Sequence, residues 1–269
     1  MIQKTKVLTL IVFGLIFLNL SAQDDAFAND KVAKLPDENR TIRFGLQFNP
    51  NISWFKANSD GYKSGGSEIG FEYGLSFEYF ISKNHLISTG VFLLTTGGNL
   101  NYKGVALNLS DSLVSADVEN EYRLGYINIP LTLKLRTNEI GYFTYFGQFG
   151  INTAFNYRAK SEALYTYQDT RKSFPSSYLD TRKDAKGDIN FINMNLVIGG
   201  GVEYNISGNT SLMLGVTFNN GFINQLDLKQ HELDNNGNAL IDNNGNAVFS
   251  EKDASANLNY LALNIGIYF

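Results

Sequence analysis

From Ile42 to the last residue, apolar side chains recur at every second position, separated by small or polar residues. In IRFGLQF the alternation puts Ile42, Phe44, Leu46 and Phe48 on one face. In EIGFEYGLSFEYFI it sets Ile69, Phe71, Tyr73, Leu75, Phe77, Tyr79 and Ile81 against Gly70, Glu72, Gly74, Ser76 and Glu78. The pattern returns in LISTGVFLLTT (86–96), YINIPLTLKL (126–135), YFTYFGQFGINTAFNY (142–157), NMNLVIGGGVEYNI (193–206), LMLGVTF (212–218) and YLALNIGIYF (260–269). A period of two marks a strand with two unlike faces, whereas a helix repeats at 3.6. Eight such segments make an even number of strands. Several run ten residues or more, longer than the usual globular strand and close to the roughly 9–11 residues that cross a bilayer when tilted.

The connections fall into two classes. Ser82–Asn84, Arg136–Gly141 and Ser207–Thr210 are short; Lys56–Ser67, Asn101–Asn120, Arg158–Asp188 and Ile223–Ala256 are long, and the two classes alternate along the chain. A soluble antiparallel sheet would carry charges on the face opposite its apolar one. Here the second face is Gly, Asn, Ser, Thr and Gln, while Lys and Asp gather in the long connections, as in RKSFPSSYLDTRKDAKGD (171–188). An uncharged polar face suits an enclosed lumen, and an aliphatic and aromatic face suits lipid. Only a closed sheet satisfies every backbone group inside hydrocarbon. The expected fold is therefore all-β: an eight-stranded, antiparallel, up-and-down transmembrane β-barrel spanning residues 42–269, with long extracellular loops and both termini on the short-turn, periplasmic side.

Composition agrees. Charged residues are 18% of the chain and aromatic residues 13%, with 25 Gly and no Cys. The absence of Cys excludes disulfides, thiolate metal sites, a cysteine nucleophile and a lipidated N-terminal Cys. A net charge of −4 without a basic stripe excludes a nucleic-acid partner. Lys4 and Lys6 precede the apolar run Val7–Leu20, which is too short to span as a helix; SAQ (21–23) and AFA (26–28) both suit signal cleavage. Residues 1–23 are thus expected to be a signal peptide, with cleavage as late as residue 28, followed by a short periplasmic segment, 24–41.

Tyr126, Ile129, Pro130, Leu131 and Lys134 form a Tyr-x-x-Ile-Pro-Leu-x-x-Lys strand. With YFGQFGINTAFNY, NLVIGGGVEYNI and the closing NYLALNIGIYF, the chain resembles the PorT-like small outer-membrane β-barrel family over roughly 42–269. The resemblance implies the outer membrane of a Gram-negative bacterium, and one named member is tied to protein secretion. That role does not transfer with the fold. The terminal Phe269 resembles the C-terminal signal read by barrel-assembly machinery, which makes that machinery and outer-membrane lipid expected partners. Protein partners are expected at the extracellular loops.

The sequence carries no recognisable catalytic constellation. His85 and His231 stand apart, and no nucleophile elbow, phosphate loop or zinc-protease helix occurs. A non-catalytic scaffold is expected, with no cofactor; a secretion or assembly factor is the alternative. Arg43, Glu72, Glu78, Lys134 and Glu203 share the lumen parity, where charges must pair or be hydrated, so a lumenal polar cluster is expected. Pro130 is expected to sit at a bulge. DNNGNALI and DNNGNAVF (234–249) agree in six of eight positions. Asp234, Asn236, Asn238, Asp242, Asn244 and Asn246 space oxygens as a calcium loop does, without the bidentate Glu at its twelfth position. A pair of Asn-Gly turns in a hairpin rising above the barrel is the favoured reading.

Overall fold

The alternating segments become strands in the computed structural model, which describes residues 41–109, 112–167, 176–236, 240–242 and 246–269, and only the backbone of 104–109, 112–114, 182 and 183. The expected signal peptide and most of the expected periplasmic segment 24–41 lie outside these residues. Eleven strands are described: β1 (Ile42–Ala57), β2 (Tyr62–Ser82), β3 (His85–Leu109), β4 (Ser112–Arg136), β5 (Phe143–Tyr167), β6 (Ser176–Asp184), β7 (Ile192–Ser207), β8 (Thr210–Gly221), β9 (Lys229–His231), β10 (Phe249–Asp253) and β11 (Ala256–Tyr268).

Eight of them close a ring. Antiparallel ladders run β1–β2–β3–β4–β5–β7–β8–β11, and β11 returns to β1, with Gly45 opposite Tyr268 and Ala57 opposite Ala256. The terminus is part of this closure: Phe269 and Phe44 exchange both backbone hydrogen bonds, at 2.9 and 3.3 Å. A chain ending on its cleanest strand is explained by the need to leave no edge unpaired. The β7–β8 turn is only Gly208 and Asn209, and Gly208 takes φ 54°, which a residue with a Cβ adopts at a cost.

Three of the expected long loops are strand instead. Lys56–Ser67, Asn101–Asn120 and most of Arg158–Asp188 continue their neighbouring strands, so that β3, β4 and β5 each reach 25 residues. About ten residues cross a membrane; some 15 per strand then stand beyond it, or about 50 Å along the strand at 3.3–3.4 Å per residue. In this extension β6 takes over the side of β5 that β7 occupies below, pairing Lys160–Tyr167 with Ser176–Asp184.

The two faces exchange chemistry at the end of the apolar belt. On β4, Ile127, Ile129, Leu131 and Leu135 point outward and are about half exposed, while Asn128, Thr132 and Lys134 are buried inside. From Tyr126 upward the parities hold but their chemistry reverses: Tyr122, Leu124 and Tyr126 fill the interior, and Arg123 and Glu121 face out. The reason is the solvent: below the reversal the outside is lipid and above it water. An upper core follows, in which Phe55, Leu94, Leu100, Tyr122, Leu124 and Leu258 pack with Ile189 and Leu226 from the connections. The expectation of a polar lumen throughout is thus corrected for the upper half. Tyr62 stacks on Tyr102 at 4.9 Å there, and burial pushes the Tyr62 hydroxyl up to about 12.

Aromatics gather at both borders of the belt, with Tyr142, Phe143, Tyr145 and Tyr204 at the turn end and Phe71, Trp54 and Phe218 at the other. Such girdles are where amphipathic rings meet headgroups. Pro130 is in register with Asn152 on β5, and the β3–β4 register is the same on either side of it, so the expected bulge is absent. The ladder to β3 lapses opposite Gly90 without a shift, which accommodates the missing donor.

Between β8 and β11, β9 and β10 form a small antiparallel pair, Phe249 opposite His231. At its tip, backbone bonds join positions eight residues apart. Leu240 N donates to Glu232 O, Val248 N to Leu240 O and Glu232 N to Val248 O, at 2.8–3.0 Å, closing a triangle of residues eight apart. The side chain of Asp234 accepts from Asn236 N, and eight-residue spacing brings Ser250 to the same role for Lys252 N.

Candidate functional site in the barrel lumen

Closing the ring gathers charges from strands far apart in sequence. Arg43 on β1 lies beside Glu203 on β7, its Nη1 and Nη2 donating to the two carboxylate oxygens at 2.8 and 2.7 Å. Its Nε donates to Glu78 on β2 at 2.7 Å. Lys134 on β4 donates to Glu78 at 2.9 Å and to Glu203 at 2.5 Å. Arg136, which the sequence reading had placed in a turn, completes the group at 2.9 Å from Glu203. Arg43, Glu78, Lys134 and Glu203 are each at most 4% exposed.

Every carboxylate oxygen of Glu78 and Glu203 is thus held by a cation. Aromatic rings cover the cations: Tyr268 lies 4.2 Å from the Arg43 guanidinium carbon and Phe146 lies 4.1 Å from Lys134 Nζ. These contacts replace water on faces that have no carboxylate. Three cations against two carboxylates leave one net positive charge. Charges this far from water are tolerated only when their hydrogen-bonding groups are paired.

Glu72 does not join them. It lies on the same face of β2 as Glu78 but six residues away, about 20 Å along the strand. Asn49 Nδ2 donates to it at 2.8 Å, and Asn128 Nδ2 donates to its other oxygen. The surrounding layer is amide and hydroxyl: Asn152 donates to Tyr260 OH at 2.6 Å, Gln47 to Tyr268 OH at 2.7 Å, and Thr217 pairs with Asn264 at 3.2 Å. Between the two layers lies a cavity of about 60 Å3, lined by Glu72, Asn128, Lys134, Asn152, Tyr260 and Tyr268 among others. It is polar and large enough for a few waters, and no continuous passage is needed to explain it.

The fold and the sequence now meet. The family described as outer membrane protein beta-barrel domain matches residues 22–227, about three quarters of the chain. This chain belongs to the outer membrane protein beta-barrel domain family. It is accordingly an integral outer-membrane protein. No curated protein matches its sequence. Among solved structures, Ail of Yersinia pestis aligns at 12% identity and TM-score 0.34, covering 86% of this chain and 100% of its own. Neisserial surface protein A aligns at 13% and 0.38, over 84% and 95%. OprG of Pseudomonas aeruginosa aligns at 11% and 0.40, over 86% and 98%. Likeness at this level says nothing about activity.

Beyond the residues matched by this outer membrane protein beta-barrel domain, the described calcium candidates are used locally. Asp234 caps Asn236, and Asp242 accepts from Asn246 N at 2.8 Å and from its side chain at 3.3 Å. Asn238 and Asn244 lie outside the described residues. No group of three His, Cys, Asp or Glu converges among the described residues. His85 meets Ser82 in its turn, and His231 packs at a tilt against Phe249, 4.5 Å between ring centres, where burial lowers its imidazole pKa.

A filled lumen has an electrical consequence. In planar bilayers the purified barrel is expected to show no stable porin-like conductance, since eight strands leave room only for side chains. A steady nanosiemens pore would refute the plugged lumen.

Proposed function

We propose that this protein is a non-catalytic outer-membrane scaffold of a Gram-negative bacterium whose long extension presents an interaction surface outside the cell. The observation that carries this reading is the contrast between a lumen closed by ion pairs and strands that run 25 residues. The extension has its own apolar interior, which supports a rigid platform more than a set of mobile loops. The β2–β3, β4–β5 and β7–β8 turns share one end with Phe269, opposite the strand extensions, which supports periplasmic termini, an exterior extension and recognition of Phe269 by the assembly machinery. The secretion or assembly role implied by PorT-like resemblance would work through the same exterior platform or the periplasmic turns.

An epitope inserted after the exposed Asn236, in the first copy of the repeat, tests the orientation. Antibody is expected to reach it on intact cells. Labelling only after permeabilisation of the outer membrane would place the extension on the periplasmic side and remove the proposed surface.

A further inference from the structure

Just past the apolar belt, the wall of the barrel is interrupted on one side. The β2–β3 ladder pairs Phe71 with Thr95 and next pairs Gly66 with Asn99, so four residues of β2, 67–70, have no partner on β3. They stay paired to β1, with Glu68 opposite Ser53 and Ile69 opposite Ile52. The strand β3 dives beneath them: Gly97 N donates to Ser53 Oγ at 2.9 Å, and a Cβ at Gly98 would lie 3.0 Å from Phe55 N. A side chain at Gly97 would strike Tyr122 O at 2.0 Å, so glycine permits the close approach. The edge of β2 overhangs β3, and a recess of about 500 Å3 opens between that edge and the outer faces of β4 and β5.

Its walls carry Arg123, Arg158 and Lys160 together with Glu68, Glu121 and Glu162. Glu121 is committed to Arg123, with the guanidinium Nε 2.5 Å from its carboxylate. Arg158 and Lys160 form no ion pair among the described residues. Below the recess the lipid-facing belt ends: Ile127 lies below Arg123 on β4, Tyr157 lies below Arg158 on β5, and Ile69, 86% exposed, stands at the rim. A ligand lodged here meets hydrocarbon on one side and fixed charge on the other.

We infer that this recess binds the phosphorylated saccharide headgroup of an outer-leaflet glycolipid. Arg158 and Lys160, with Arg123 beside them, would hold phosphate through charge-assisted bonds. Glu68 and Glu162 suit the hydroxyl and amide groups of the sugar, and the acyl chains continue onto Ile127, Ile69 and Leu93. A phosphate without acyl chains would leave the apolar rim unused, and a phospholipid without sugar would leave the carboxylates facing its phosphate. The leaflet assignment rests on the orientation proposed above; the binding chemistry does not.

The test uses the full-length folded protein in detergent micelles, with diphosphoryl lipid A, its dephosphorylated form and phosphatidylglycerol as probes, read by native mass spectrometry. Diphosphoryl lipid A is expected to bind at one per barrel. Affinity is expected to fall at least about tenfold for the dephosphorylated lipid and for the Arg158→Gln/Lys160→Gln variant. The Lys229→Gln/Lys252→Gln variant, which loses equal charge in the distal connection, is expected to bind as the parent does. Heat-modifiability on unboiled gels confirms that each variant is folded. Equal binding by the parent and the Arg158→Gln/Lys160→Gln variant would overturn the site. Equal binding of phosphatidylglycerol, or displacement by low-millimolar inorganic phosphate, would overturn the glycolipid as its ligand. The epitope test reads orientation alone, so a failed leaflet assignment and a failed site give different results.

Discussion

Glu203→Ala is expected to destabilise the folded barrel by about 3–5 kcal/mol, the cost of leaving buried charges without their counter-ion. Glu203 touches Arg43, Lys134 and Arg136, all within 2.9 Å. Its loss leaves Glu78 alone against three cations in a site closed by Tyr268 and Phe146, and water has little room to replace it. Glu203→Gln keeps the shape and isolates the charge, so most of the penalty is expected to persist in that variant. The single tryptophan is a convenient reporter: Trp54 stacks on Phe218 across the barrel wall at 6.2 Å and loses that environment on unfolding. Equilibrium urea unfolding followed by its fluorescence gives the free-energy change. A cost below about 1 kcal/mol, the range of solvated ion pairs, would show that the lumen is wet and the network incidental.

Leu263→Arg tests the other face. Leu263 sits on β11 opposite Val216 of β8, outward and 41% exposed, between Leu261 and Ile265, which are equally exposed. Its neighbours Ala262 and Asn264 are buried inside. An arginine near the bilayer midplane costs roughly 2–4 kcal/mol on a barrel exterior. The same unfolding titration in lipid vesicles is expected to show that loss, and Glu251→Arg in the exposed distal connection is expected to show almost none. A loss at Leu263 no larger than at Glu251 would mean that the aliphatic face does not meet hydrocarbon.

Both predictions rest on a feature legible in the chain. Alternation named the faces of β1, β2, β4, β7 and β11 residue by residue, because a strand has no other way to place successive side chains. It also identified the terminal strand as structural. The reversal of chemistry on β4 was written in ENEYRLGYINIPLTLKL as well, where Arg123 and Glu121 share the parity of Ile127 and Leu131. A charged outward face reads as loop unless the sheet is known to outrun the bilayer.

Parity says which way a side chain points but not at what height it points there. Arg43, Glu72, Glu78, Lys134 and Glu203 all face the lumen, yet only the stagger of neighbouring strands decides that Arg43 reaches a glutamate 160 residues away while Glu72 remains with two asparagines. The same stagger brings Arg136 into the network and lifts β2 over β3 to open the recess. The sequence by itself determined the strands, their faces and the closed sheet, because these follow from local geometry and from the need to satisfy the backbone in lipid. Which charges meet, where the wall parts and how far the sheet stands above the membrane were decided by the tertiary structure alone, because each depends on register between strands that the chain brings together only when the barrel closes.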